Sequence, residues 1–296
     1  MKNAEDLAGE LDLPLSVLRA VARVAAHLYW TRRSPRKRSR LLRTPLGQLA
    51  EIQQAIKGRL LDKMALPDTM HGWRKGHDPR SYVAPHVGHA FVLNIDVRDF
   101  FPSVTAGRVC AFWERQGYNT DAARLLTALT TCDNQLPQGA PTSQSIGNQI
   151  LVSLNNRLHA LAIQNGLTYS NFADEVSLSG GEGVARLQKL VLKIIGQEGF
   201  ATNPQKVKLM RRDAMQCLTG IVINKKASPG RENYRALRAL VNNCVRYGPA
   251  TQPDGRSPEF KERLRGRIGY LSGINDRLGR KLRAAFDKII WPVTDH

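Results

Sequence analysis

The stretch that most narrows the possible folds is Asn171-Phe172-Ala173-Asp174-Glu175-Val176. On either side, Tyr169 to Phe172 and Val176 to Ser179 mix apolar and polar residues at close to a period of two, which reads as two short half-buried strands joined through the acidic pair. Neighbours on a strand point to opposite faces, so Asp174 and Glu175 serve one site only from a tight turn. Upstream, Phe91-Val92-Leu93-Asn94-Ile95 is an apolar strand run that ends on Asp96. Two strands that deliver carboxylates to one end of a sheet suit a pair of Mg²⁺ ions, which take oxygen ligands and keep water and substrate phosphates in the remaining positions. The bland alternative is a hairpin carrying two solvated acids.

Composition narrows the partner. A chain of 296 residues exceeds the usual single core, so subdomains around a shared sheet are expected, and 42% hydrophobic residues suffice to build them. The formal charge of +19 is a large single-sign field whose natural complement is a polyanion, nucleic acid before membrane. No apolar run reaches the roughly 18 residues of a spanning helix, and Met1 to Asp6 lacks the apolar core of a signal peptide. The expectation is a soluble, cytoplasmic protein with no membrane partner. The four cysteines are scattered with no Cys-x-x-Cys pair, which argues against a zinc site or a disulfide framework.

In chain order, Leu7 to Trp30 has helical spacing interrupted by Pro14. Arg32 to Arg40 then packs six cations into nine residues, among them Arg36, Lys37 and Arg38, and leads into a short strand before Pro45. Such a run is either a solvated loop or a set of guanidinium groups placed on phosphates. Leu46 to Leu61 reads as a helix, followed to Pro79 by a loop rich in Gly, His and Pro. Beyond Asp96, helices are expected over 103–116, 121–131 and 143–162, the last launched by the punctuated loop Leu136-Pro137-Gln138-Gly139-Ala140-Pro141-Thr142-Ser143. After a helix over 183–197 and a hairpin around Cys217 to Asn224, the chain becomes helical and basic over 232–247, 258–272 and 276–290.

Taken together, Asn94 to Ser103, Leu136 to Ser143, Phe172-Ala173-Asp174-Glu175 and Gly199 to Lys206 resemble the palm motifs of reverse transcriptases in order and spacing. Within that superfamily the chain looks most like the bacterial retron type. Leu218-Thr219-Gly220 is close to that group's Val-Thr-Gly signature, and His86 stands ten residues before Asp96, where its Asn-Ala-x-x-His motif ends. The resemblance runs from about Arg32 through the helical tail. Two motifs depart from it: Tyr82 and Val83 replace the Asn and Ala of the upstream motif, and Glu175 replaces the second Asp of the Tyr-Ala-Asp-Asp box.

The resemblance implies an α+β right-hand polymerase fold: fingers over 1–95 with N-terminal helices, a palm with a mixed or antiparallel sheet over 96–224, interleaved fingers helices at about 118–137, and a helical thumb over 225–296. By matched position Asp96 and Asp174 would bind two Mg²⁺ ions, or Mn²⁺, with the backbone carbonyl of Val97 assisting and Glu175 nearby. A primer 3′-hydroxyl would attack the α-phosphate of a dNTP. Arg40 would reach the triphosphate, Gln138 would contact the nucleotide, Phe101 would exclude a ribose 2′-hydroxyl, and Lys206 would protonate the leaving group. His86, Arg36, Lys37 and Arg38 would touch RNA. The implied function is copying part of a dedicated structured non-coding RNA into a short DNA, in antiphage defence with a separate effector protein. Two alternatives stand beside it: an RNA-binding module that keeps the fold but has lost the chemistry through Glu175, and a non-retron bacterial reverse transcriptase.

Overall fold

The computed structural model describes residues 1–34 and 40–291. Arg36, Lys37 and Arg38 therefore lie outside the described residues. Helix α1 (Ala4–Leu11) starts on a capping box, in which the Asn3 side chain accepts from Asp6 N–H and the Asp6 carboxylate accepts from Asn3 N–H. Pro14 separates it from α2 (Leu15–Val24), as the interrupted spacing foretold. The helical reading extended too far, because Tyr29–Arg33 is a strand, β1, that pairs antiparallel with β2 (Leu41–Pro45). Arg32 and Arg33 at the start of the basic run thus lie in a strand, and Arg40 at its end stands just before the second strand of the pair. Helices α3 (Gly47–Arg59) and α4 (Pro79–Val83) lead to β3 (Phe91–Asp96). A single turn, α5 (Phe100–Ser103), precedes α6 (Ala106–Arg115), α7 (Thr120–Thr130) and α8 (Ser143–Gln164).

The palm hairpin follows as β4 (Thr168–Phe172) and β5 (Glu175–Gly180), then α9 (Gly183–Gln197) and β6 (Lys208–Arg211). These strands make one four-stranded antiparallel sheet in the order β4-β5-β3-β6. Its register sets Asp96 opposite Glu175 and Asn94 opposite Ser177. One face, with Leu93, Ile95, Tyr169, Val176 and Leu178, packs into the main core beneath α8 and α9.

The expectation of half-buried strands fails on the other face, which is also covered. Tyr82 and Val83 of α4 pack there against Val92 and against β7 (Cys217–Leu218) and β8 (Ile221–Val222). The serines that read as solvent-facing are buried and bonded instead. His86 Nδ1 lies 2.6 Å from Ser179 Oγ, its Nε2 2.6 Å from Ser170 Oγ, and Tyr82 Oη 2.7 Å from Ser177 Oγ. A buried hydroxyl is tolerated only with such partners, so the polar stripe and the residues that cover it are one arrangement.

His86 is fully buried, which corrects its assignment to RNA contact. The imidazole is a bolt between β4 and β5, and no surface of it is left for a nucleic acid. The same holds for Tyr82 and Val83, both at 0% exposure.

The C-terminal helices α10 (Arg231–Tyr247), α11 (Phe260–Ile274) and α12 (Asp276–Phe286) enclose a core of their own. Leu237, Val241 and Cys244 on α10 meet Phe260, Leu264, Ile268 and Leu271 on α11, at helical spacing on one face of each. Arg231, Arg235 and Arg238 are exposed on α10. Among the described residues no helix is long and apolar enough to cross a membrane.

Burial, reinforced by His89 and His71, holds the His86 imidazole neutral with its pKa pushed down to about 3. In the unfolded chain it titrates near 6.5, so its contribution to stability is complete above that pH and is lost as pH falls toward 3. His86→Ala is expected to cost about 2–3 kcal/mol at neutral pH, by stranding the serine hydroxyls, and to flatten the acid limb of a denaturation-versus-pH curve between neutrality and pH 4. Equal slopes in both proteins would refute this role.

Candidate active site

The acidic pair is placed by a two-residue turn. Phe172 pairs with Glu175, leaving Ala173 and Asp174 at the tip, and Ala173 adopts φ 57°. A positive φ at the first turn position matches the twist of a hairpin but strains any residue other than glycine. The Asn171 side chain compensates, since its Nδ2 donates to the carbonyls of Ala173 (2.9 Å) and Glu175 (3.1 Å). On the outer side, the segment 69–72 runs beside β4: Asn171 N–H donates to Thr69 C=O (2.7 Å) and His71 N–H to Asn171 C=O (2.8 Å). Asn148 of α8 anchors this segment by donating to Gly72 C=O (2.9 Å). Gly72 sits so close to the turn that a Cβ there would be 2.0 Å from the Ala173 nitrogen.

Across the sheet end, Val97 N–H donates to the Asp174 carbonyl (2.9 Å) and Arg98 N–H to the Ala201 carbonyl (2.8 Å). The first contact ties the Asp96 strand to the Asp174 turn. The second brings in the segment that carries Lys206, whose Nζ lies 2.6 Å from Asp96 Oδ2. A cleft of roughly 750 Å³ opens here, lined by Asp96, Asp174 and Lys206 together with Arg40, Phe101 and Gln138. Every residue that the motifs nominated for metal or nucleotide contact is therefore on its wall, Val97 included, except Glu175.

Each wall residue has a structural reason to be there. Phe100 and Phe101 lie against Gly147 of α8, where a Cβ would come 2.9 Å from the Phe100 ring. Trp73 closes over both rings at centroid distances of 6.1 and 5.1 Å. Gln138 is held because its carbonyl accepts from Arg43 N–H (2.8 Å), which docks the β1-β2 hairpin on the Leu136–Thr142 loop. Arg43 is also ion-paired with Asp133. Arg40, at the foot of β2, is exposed and close enough for its charge to favour ionised Asp174.

The electrostatics are those of crowded acids. Burial and the neighbouring Asp96 push the Asp174 carboxyl above the usual range. Burial, then Asp174 and Asp96, push Glu175 up to about 7, and its Oε2 is buried without a hydrogen-bond partner. Carboxylates that repel one another in a dry corner are what a divalent cation relieves. Among the described residues no group of three or more His, Cys, Asp or Glu side chains could by itself hold a metal ion. Asp96, Asp174 and backbone oxygen still fit Mg²⁺, which binds through one or two carboxylates and takes its other ligands from water and phosphate.

Sequence reasoning missed Asn171, Gly72, Trp73 and Asn94 as parts of the site. Trp73 left a trace, a lone indole in a loop otherwise rich in Gly, His and Pro. Asn171 and Gly72 act through backbone contacts, and Asn94 through its side-chain bond with Ser177, none of which a local pattern announces.

The family described as reverse transcriptase (RNA-dependent DNA polymerase) matches residues 34–246. The Retron Ec86 reverse transcriptase of Escherichia coli is 30% identical over 98% of this chain and 90% of its own length. The Retron Mx65 reverse transcriptase of Myxococcus xanthus is 32% identical over 95% of this chain and 70% of its own. Among solved structures, a telomerase from Candida albicans in complex with a fragment of telomeric RNA overlaps 95% of this chain and 61% of its own, with a TM-score of 0.47 at 10% identity, too loose a likeness to add weight.

Because the contact at Gly72 is with backbone, nothing flexible can give way. Gly72→Ala is expected to lower stability by about 2–4 kcal/mol or to displace the Asp174 turn. Gly58→Ala, on an open surface of α3, should be neutral or stabilising by up to about 1 kcal/mol. Denaturant melts of the two variants make the comparison, and similar midpoints would contradict the close approach.

Proposed function

Since the chain belongs to the reverse transcriptases, and within them to the retron type, it is an RNA-directed DNA polymerase with a right-hand fold, and we propose that it copies part of a structured non-coding RNA into a short DNA. The observation that carries this reading is the convergence of Asp96 and Asp174, from two strands, on one cleft that also holds Arg40, Phe101, Gln138 and Lys206. Asp96, Asp174 and the Val97 carbonyl would hold two Mg²⁺ ions, with Mn²⁺ as a substitute. When bound, these ions supply activation of the attacking oxygen and neutralisation of the leaving pyrophosphate.

The chain's own residues do the rest. Arg40 meets the triphosphate, and the Gln138 loop, braced by β2, orients the nucleotide. Phe101, backed by Trp73, is a rigid wall under the sugar. Lys206 rests on Asp96 until a more highly charged group takes its place, and then lies beside the phosphates as a proton donor. Glu175 contributes charge from behind the cleft rather than a ligand. RNA is held by the cationic hairpin and by the arginines of α10.

Fingers over 1–95, palm over 96–224 and thumb over 225–296 are the division we propose, with β3 (Phe91–Asp96) counted in the palm because it pairs with β5 and β6; α7 lying against α1, α2 and α3 supports grouping 118–137 with the fingers, and the separate core of the last three helices supports the thumb. Service in antiphage defence, a separate effector protein and a cytoplasmic place in a bacterium follow from the retron resemblance.

Purified protein with a primed structured RNA, Mg²⁺ and four dNTPs should extend DNA. Asp96→Asn and Asp174→Asn should each lower incorporation by about a thousandfold or more, because the transition-state charge is no longer neutralised, while RNA affinity stays within about twofold. RNA binding without any DNA product from the unaltered protein would favour the binding-module reading. In the same assay Phe101→Ala should admit ribonucleotides with DNA synthesis retained, since only a steric wall is removed. Unchanged sugar discrimination in a folded variant would return Phe101 to packing alone.

A further inference from the structure

Of the four tryptophans, Trp113 is buried, Trp73 and Trp291 are half-buried, and Trp30 on β1 stands 52% exposed. An indole is a large apolar surface to leave in water, and covering it is worth more than covering most other side chains. Its place in the hairpin says what would cover it. The β1-β2 register pairs Trp30 with Thr44 and Arg32 with Leu42, and cross-strand partners share a face. By alternation Tyr29, Arg33, Leu41 and Arg43 fall on the opposite face.

That opposite face belongs to the body of the molecule. Tyr29 Oη accepts from Gln53 Nε2 at 2.7 Å, and Leu41 and Arg43 line the cleft of Asp96 and Asp174. The hairpin is therefore a wall one strand layer thick, with the cleft on one side and Trp30 on the other, fixed at the rim by the bond from Arg43 N–H to the Gln138 carbonyl. On the outer face the Arg32 guanidinium lies 5.4 Å from the centre of the Trp30 ring, and both side chains are exposed.

An aromatic ring beside a guanidinium, in a chain of formal charge +19, suits a nucleotide whose base stacks on the ring while its phosphate meets the cation. Bases inside a duplex are already paired and stacked, so only an unpaired strand has them to offer. A template is unpaired where it has not yet been copied, ahead of the reacting nucleotide, and Trp30 stands across one strand layer from the cleft that takes that nucleotide.

We propose that the outer face of the β1-β2 hairpin is a stacking platform for the uncopied, single-stranded part of the RNA template, with Trp30 under a base and Arg32 on the adjoining phosphate. The inference rests on the RNA-copying reading above and gives the hairpin a second task within it. Positive charge attracts RNA of any form, whereas the ring distinguishes an unpaired strand from a duplex.

The test measures binding by fluorescence anisotropy, without dNTP, to three primed RNA templates: one with a single-stranded 5′ extension, one blunt-ended, and one whose extension carries abasic sugars in place of bases. Trp30→Ala is expected to bind the extended template about 5–50-fold more weakly, the worth of roughly one stacked base, and the blunt duplex within about twofold of the unaltered protein. Trp30→Leu, which keeps apolar bulk without a ring, should behave as Trp30→Ala does and replaces it if that variant fails to fold. Trp30→Phe should stay within about threefold on every template, because an aromatic face remains. Abasic sugars should cost the unaltered protein as much as Trp30→Ala costs on the natural extension, and the two losses should not add. The salt dependence should be unchanged in Trp30→Ala and shallower by about one phosphate in Arg32→Ala. Equal weakening on blunt and extended templates would make Trp30 a packing residue and overturn the proposal. Full affinity of Trp30→Ala for all three templates would overturn it too, leaving the face to a protein partner. If Trp30 discriminates as expected but the unaltered protein makes no DNA, the polymerase reading falls and the platform for unpaired RNA stands.

Discussion

The antiparallel pairing of β3 with β5 is the constraint on which the rest depends. It sets Asp96 opposite Glu175 and leaves the Asp174 turn just beyond the ladder, where the Val97 amide catches its carbonyl. A slip of one residue would turn every side chain of β5 to the other face, burying Glu175 under α9 and exposing Val176 and Leu178 to the polar stripe. The apolar face of the sheet therefore does more than stabilise: it makes this register the one that keeps Leu93, Ile95, Val176 and Leu178 in the core.

Much of this was legible in the sequence, and the parts that were not share a cause. The apolar run ending at Asp96, the acidic turn and the helices of the tail announced themselves because period and punctuation are local signals. The β1 strand was hidden by its composition, since Tyr29 to Arg33 lie almost wholly exposed in a hairpin. His86 misled because a histidine in a matched motif invites a ligand, whereas its surroundings, Ser170 and Ser179, come from strands that read as half-solvated. Asn171, Asn148 and Gly72 were silent because each works on a backbone group brought near only by the fold, the Asn148 contact spanning 76 positions.

Each half of the molecule handles its polar burden differently. Around the palm, the Ser170, Ser177 and Ser179 hydroxyls, the Tyr82 phenol and the His86 imidazole are buried but satisfied among themselves, which makes the sheet specific as well as stable. In the C-terminal helices, apolar residues are confined to a narrow stripe and nearly everything else is charged or polar, so that bundle offers cations at little cost to its packing. The Arg80 guanidinium, which donates to the Gly273 carbonyl at 3.2 Å while paired with Asp78, is one polar link between the two parts.

The ion pair between Lys206 and Asp96 joins residues 110 positions apart. Contacts of such sequence separation form late in folding, after the loop-closure entropy of the intervening chain has been overcome. During synthesis Asp96 leaves the ribosome well before the segment that will shield it, and it meets Asp174 only when the sheet closes. The nascent chain therefore carries its acids as isolated, solvated groups with no affinity for ions or nucleotides beyond that of any carboxylate. The cleft is therefore assembled only when the last palm strand docks, so a truncated or stalled product lacks it by topology alone.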